Sequence, residues 1–224
     1  KRETFLTSSS AQRTAADDDL TSGVQRVLHR CRYDLAALRL YDLDGGDHDW
    51  KLAAGVPTYV AVFGRDMLAA AWQASLVSVD MLRGALSCLA ERTAKDRNDW
   101  RDALPGRMLH EQQTDPLSAL NFTPHGRYFG TITTPFLFPI AVAELWRWTG
   151  DAELLKPFLE PALGALAWAD EWSLAESGFY EYRTRSEQGM KNQAWKDSDD
   201  AIVRPDGSQV DAPIGTCATQ AFAY

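Results

Sequence analysis

The stretch PFLFPIAVAELWRWTGD, residues 135–151, decides how the rest of the chain is read. Its apolar residues recur at helical spacing from Pro135 to Thr149, and Gly150 stands where a helix C-cap places a left-handed residue. Asp151 follows at once, a residue type that caps a helix N-terminus, and residues 152 to about 172 carry a second helical pattern. Pro157 is tolerated near that start, and Pro161 is expected to bend or interrupt the helix. Two helices joined by so short a turn form a hairpin.

The same unit recurs toward the N-terminus. Residues 67–76 and 79–95 read as consecutive helices, the second with the face Met81, Leu82, Ala85, Leu86, Leu89 and Ala90. Ahead of them, residues 19–40 repeat apolar positions from Leu20, Val24, Val27 and Leu28 to Cys31, Leu35 and Leu38, and Gly45-Gly46 breaks the pattern. A final apolar stretch from Thr216 reads as another helix. Between these units lie long, weakly periodic segments, residues 96–131 and those after Ser173, of a length that is usually functional. Strand signals are few and no βαβ alternation occurs. The fold class is all-α: hairpins whose long loops gather on one face suggest an (α/α)6 toroid, of which this chain supplies roughly the N-terminal half. Residues 1–17 read as a linker from a preceding domain, and residues 18–224 as the N-terminal part of a catalytic domain.

Composition narrows the function. A net charge of −8 argues against a nucleic-acid surface and against docking on an anionic membrane. The apolar runs are broken by prolines and fall short of the roughly 20 residues of a membrane helix. Cys31, Cys88 and Cys217 are odd in number and widely spaced, which fits reduced, buried thiols in a cytoplasmic protein. Eight Trp, seven Tyr and nine Phe exceed the needs of a helical core this size. Many fall in loops, among them Trp50, Tyr59, Phe63, Trp100, Phe122, Tyr128, Phe129, Phe179, Tyr180 and Trp195. Aromatic planes among polar side chains suit the apolar faces and hydroxyls of sugars, although loops folded over a core would look the same.

Three loop segments concentrate candidate chemistry. In Val62-Phe63-Gly64-Arg65-Asp66, Arg65 and Asp66 can grip sugar hydroxyls beside Phe63; alternatively Asp66 only complements a helix N-terminus. In residues 105–111 and 126–131, Arg107, His110, Glu111, Tyr128 and Thr131 can line a pocket, while Arg107 and Glu111 could equally form a structural ion pair. His110 lacks a second His or Cys at metal-ligand spacing. The densest segment runs from Glu181-Tyr182-Arg183 to Asn192-Gln193-Ala194-Trp195-Lys196-Asp197-Ser198-Asp199-Asp200. A carboxylate such as Asp197, beside Trp195 and among other acids, stands where desolvation and like charge favour the protonated form a general acid needs.

Taken in order, Gly-Val-Pro-Thr-Tyr (55–59), Phe-Gly-Arg-Asp (63–66), Pro-Gly-Arg-Met-Leu-His-Glu (105–111), Gly-Arg-Tyr-Phe-Gly (126–130), Asn-Gln-Ala-Trp-Lys-Asp-Ser (192–198) and Ala-Pro-Ile (212–214) resemble the bacterial amylo-α-1,6-glucosidase or glycogen-debranching-like proteins. The resemblance spans residues 18–224. It implies an (α/α)6 toroid related to the trehalase and processing α-glucosidase clan, and an inverting mechanism with one carboxylic acid and one carboxylate base. By position it makes Asp197 the acid, has Phe63, Arg65 and Asp66 hold the non-reducing glucose, and sets His110, Glu111, Tyr128 and Trp195 among pocket-lining segments; Arg107 and Lys196, in the same motifs, are further candidates for substrate binding. The chain departs from the family pattern at Ala194, where Gly is common, at Asp199, where an aromatic is frequent, and over residues 216–222.

The implied function is hydrolysis of an α-glucosidic bond, an α-1,6 branch or a short α-glucoside, with inversion. In relatives the base lies in the second half of the toroid, so the remaining half of the same protein, or a second chain, is the expected partner; Glu111 and Glu181 are the alternatives within these residues. No metal or organic cofactor is required by acid–base chemistry of this kind. The competing expectation is a non-catalytic glucan-binding or assembly module.

Overall fold

A computed structural model describes residue 6, residues 19–43 and residues 48–224. Apart from Leu6, the expected linker over residues 1–17 lies outside the described residues, as does most of the break around Gly45-Gly46. The described chain is mostly helical, with α1 (Asp19–Ala37), α2 (Gly64–Gln73), α3 (Asp80–Ala90), α4 (Pro116–Ala119), α5 (Thr133–Thr149), α6 (Lys156–Trp172) and α7 (Cys217–Ala223). The one sheet among the described residues is a pair of two-residue strands, β1 (Val62–Phe63) and β2 (Glu111–Gln112), antiparallel. No described helix is long and apolar enough to cross a membrane.

The hairpin of residues 135–172 forms as its sequence dictates. Gly150 takes φ +65° and its N–H bonds the Trp146 carbonyl at 2.7 Å, closing α5. Asp151, expected to cap the next helix, instead accepts the Glu153 N–H at 2.9 Å from one residue ahead of Ala152, the N-cap of a 3-10 turn, Glu153–Leu155, that leads into α6. Residues 156–172 stay in one helical span with Pro161 inside it, and α5 likewise accommodates Pro139. Each proline forfeits its own N–H bond and crowds the carbonyl four residues back, and burial of the helices against their neighbours offsets that cost.

α5 is the central helix: it packs against α6, α2, α3 and α7. Residues 133–138 in its first turns are all buried, as a helix surrounded by protein requires. α2 and α3 pair across the short connection at residues 74–79, and α3 lays Met81, Leu82, Ala85, Leu86 and Leu89 into the core. Each such fully buried Leu contributes on the order of 1.5–3 kcal/mol. Trp50 and Leu52 close this cluster from the N-terminal side. A second cluster, with Leu104, Ile132, Phe136, Trp168, Tyr182 and Ile214, joins α5 and α6 to the long loops.

Three expectations need correction. The stripe of α1 is mostly uncovered: Leu20, Val24 and Val27 are exposed and Ala36 alone in this helix is buried, because only its C-terminal end meets the core. The expected helix over residues 79–95 stops at Ala90, followed by turns in which the Arg92 and Thr93 N–H groups bond back to Leu89 and Ala90. The cysteines are free, but only Cys88 is buried; Cys31 and Cys217 are exposed.

Candidate functional site

Two segments distant in sequence are set side by side by the small sheet. Phe63 pairs with Glu111, Val62 with Gln112, and Glu111 bridges onward to Tyr128. α2 starts immediately after β1, with the Gly64 N–H donating to the His110 carbonyl at 2.8 Å. A Cβ on Gly64 would lie 2.2 Å from the Leu109 carbonyl oxygen, so only glycine permits this approach. Arg65 and Asp66 therefore emerge in the first turn of α2, beside His110 and Glu111.

The opposite wall comes from residues 190–199. Asn192 and Gln193 are buried and act as its scaffold: the Asn192 side chain donates to the Ser198 carbonyl at 2.7 Å, and the Ile132 N–H donates to the Gln193 carbonyl at 2.7 Å. Asp197 then faces Arg65. Arg65 Nη1 donates to Asp197 Oδ2 at 2.9 Å and to the Trp195 carbonyl at 2.6 Å, while its Nη2 lies 3.4 Å from Asp66 Oδ2. The guanidinium also sits 5.4 Å from the centre of the Trp195 ring, which leans on Phe222.

Between these walls is a cleft of about 660 Å³. Tyr59, Phe63, Arg65, Asp66, His110, Glu111 and Asp197 line it, with Gln113, His125 and Met190. Tyr59 meets Phe63 edge to face at 5.7 Å, giving one wall an aromatic surface. Glu111 accepts from Gln113 Nε2 at 2.5 Å, and its other oxygen lies 2.5 Å from His125 Nδ1. Burial alone would raise the Glu111 pKa, but the bonds from His125 and Gln113 outweigh it and hold the carboxyl below its ordinary range. His125 is raised in turn by its bond to Glu111. His110 behaves oppositely: burial lowers its pKa and keeps the ring neutral, despite the nearby carboxylates of Glu111 and Asp197. Its Nδ1 is buried without a hydrogen-bond partner, a polar atom left in the cleft wall.

Phe63, Arg65, Asp66, His110, Glu111 and Asp197 are thus brought together. Trp195 and Lys196 are exposed and are not among the residues that line the cleft, Trp195 meeting it only through Arg65. Arg107 and Tyr128 are placed behind the cleft instead, 1% and 0% exposed. Arg107 does not pair with Glu111; it donates to the Asp102 carbonyl (2.7 Å), to Gln193 Oε1 (2.6 Å) and to the Thr131 carbonyl (3.2 Å). Burial lowers its pKa to about 10, against the raising effect of Asp102.

The centre of this hidden layer is Asp102, a residue that stands in the sequence as one polar loop position among many. Fully buried at φ +51°, its carboxylate accepts from Tyr128 Oη (2.8 Å), Thr184 Oγ1 (2.9 Å), Gln193 Nε2 (3.1 Å) and the Arg185 N–H (2.6 Å). It ties residues 102–107, 128–131 and 184–193 together and so fixes the wall that carries Asp197. His125, the hydrogen-bond partner of Glu111, also escapes a reading by motif; its position three residues before Tyr128 is the only signal. Of the loop aromatics, Trp50, Tyr128 and Phe129 serve the interior, while Tyr59 and Phe63 face the cleft. Glu181 lines a different cavity. Among the described residues no group of three or more His, Cys, Asp and Glu side chains is arranged to hold a metal ion.

No family model matches the chain, and no curated protein matches it.

Proposed function

We propose that this chain carries the acid side of the active site of an inverting glycoside hydrolase of the amylo-α-1,6-glucosidase type. The observation that supports it best is the single cleft in which an aromatic wall, a cation and the carboxylates of Asp66, Glu111 and Asp197 face one another. A glucose ring laid on Tyr59 and Phe63 leaves its hydroxyls to Arg65, Asp66 and the neutral ring of His110. Asp197 protonates the glycosidic oxygen as the bond to the aglycone breaks, and a carboxylate on the other face takes a proton from the attacking water. An inverting pair stands roughly 6.5–9.5 Å apart to admit that water. Glu111, in the same cleft, is the candidate base within these residues; the family resemblance puts the base instead in the other half of an (α/α)6 toroid, supplied by the same protein or a second chain. The substrate in this reading is an α-glucan or a small α-glucoside, no cofactor takes part, and the setting is cytoplasmic.

One observation favours a second reading. Asp197 is already engaged by the permanent cation of Arg65, an arrangement that suits holding hydroxyls as well as proton transfer. A non-catalytic glucan-binding or assembly module would need nothing more.

Asp197→Asn separates the two. The hydrolase reading expects release of glucose from maltooligosaccharides or branched glucan by the complete protein, the product first appearing as the inverted anomer by NMR. The variant should lose at least about a hundredfold in kcat, the scale of general-acid catalysis. Turnover near the unaltered rate in Asp197→Asn would remove Asp197 from the chemistry, and glucan binding without any turnover in the parent protein would establish the binding module.

A further inference from the structure

Residues 180–185 run extended, with Tyr182 and Ile214 exchanging backbone hydrogen bonds of 3.0 and 2.9 Å. Side chains therefore alternate. Tyr182 enters the core and Thr184 binds Asp102, so Glu181, Arg183 and Arg185 share the opposite side. These three line a cavity distinct from the cleft that holds Asp197, together with Arg107, Trp168 and Trp172.

The lining is rich in donors that have no anionic partner. Arg107 lies 4.8 Å over the Trp168 ring, and Arg185 lies 5.8 Å over Trp172. The arginine–carboxylate ion pairs of the described residues involve other arginines. Arg107 spends its three nitrogens on the Thr131, Asp102 and Gln193 oxygens, so the guanidinium groups left to face the one carboxylate of the lining, Glu181, are those of Arg183 and Arg185. Asp102 and Asp99 also act on Arg185, but the first is occupied by four donors and the second by Arg97. The indole N–H of Trp168, itself 3% exposed, is buried with no acceptor. Arginine and indole side chains can only donate, so what completes this cavity is an acceptor carrying negative charge.

We propose that this cavity is a binding site for a phosphate group, free or carried by a phosphorylated small molecule. Its volume of about 150 Å³ holds on the order of five waters at about 30 Å³ each, which matches a tetrahedral oxyanion rather than a chain of sugar units. Arg183 and Arg185 offer planar forks that match phosphate oxygens, and stacking on Trp172 holds the second of them in place. The site does not rest on the hydrolase reading.

The test is titration of inorganic phosphate into the purified protein, followed by calorimetry and by tryptophan fluorescence, since Trp168 and Trp172 form the walls. Saturable one-to-one binding that weakens with added salt is expected, with a roughly tenfold or greater loss for each guanidinium removed in Arg183→Gln and Arg185→Gln. Glu181→Gln, which deletes the one opposing carboxylate of the lining without touching a buried group, should tighten binding and guards against a misfolded arginine variant. A hexose monophosphate that binds more tightly than free phosphate identifies a carried phosphoryl group; the reverse order identifies the free ion. No saturable binding, binding unchanged in both arginine variants, acetate bound as well as phosphate, or no tightening in Glu181→Gln would overturn the proposal.

Discussion

Glu111 is flanked by His125, whose pKa its bond to this carboxylate raises, and by His110, whose pKa burial lowers, so the two histidines respond to acid in opposite senses. His125 has a pKa raised above its ordinary 6.5, so its contribution to stability is complete below 6.5 and is lost as pH climbs through the raised value. Glu111 has a pKa lowered from 4.5, so its contribution is complete above 4.5 and is lost as pH falls through the lowered value. The pair is therefore fully effective between those two ordinary values. His110, lowered by burial, opposes this: the unfolded chain takes up a proton below 6.5 that the folded one refuses, so His110 favours folding at higher pH. The pH profile of the parent protein sums both effects, and only a variant separates them. In His125→Gln, urea unfolding should show a larger stability loss relative to the parent at pH 6 than at pH 9; an equal loss at both would show that His125 is not charged against Glu111. Residues of this kind divide sharply in how far sequence reveals them. Arg65, Asp66, Glu111 and Asp197 are legible because acids and bases there adjoin aromatics at the borders of periodic segments. Asp102 is not, since the donors that satisfy its carboxylate arrive from 26 to 91 residues away, and no local pattern announces a buried charge.

Helix existence is legible for the longer helices, because a period of 3.6 apolar positions survives any tertiary arrangement, whereas the single turn of α4, inside the expected loop of residues 96–131, is too short to show a period. What the period does not carry is which stripe another element covers, and so α1 reads like α3 although the core covers only α3. Close approach is equally silent. Gly84, in α3, abuts the Trp50 backbone, and a Cβ there would lie 2.2 Å from the Trp50 carbonyl oxygen. Gly84→Ala gains about 1 kcal/mol of helix propensity but forces apart two main chains, an overpacking on the order of 1–3 kcal/mol or more. Because the obstacle is backbone, the clash should win, with a net loss of about 1–2 kcal/mol. Gly23→Ala, in α1 with nothing nearer than 4.0 Å, should instead be stabilising by up to about 1 kcal/mol. Thermal melts of the two variants should move in opposite directions; a rise for both would mean that Trp50 and α3 do not pack as described.

For the whole molecule, solubility rests on charge. The chain carries −8 at pH 7 and has a pI of about 5.0, while Trp146, Trp148, Leu159 and Leu163 are exposed on α5 and α6. Near the pI the repulsion between copies vanishes and apolar contact is unopposed. Light scattering at fixed protein concentration should peak near pH 5 and fall on either side; a flat profile would show that these faces are not available to other copies. The cleft has its own dependence on the whole. Arg65 and Asp197, its two lips, stand 132 residues apart in the chain, so no short segment contains a cleft and no early local event in folding can make one. Closing so wide a loop waits on the helical hairpins between, and loosening residues 186–199 would take the cleft apart while those hairpins still stand. The shape of this cleft is thus a property acquired last and surrendered first.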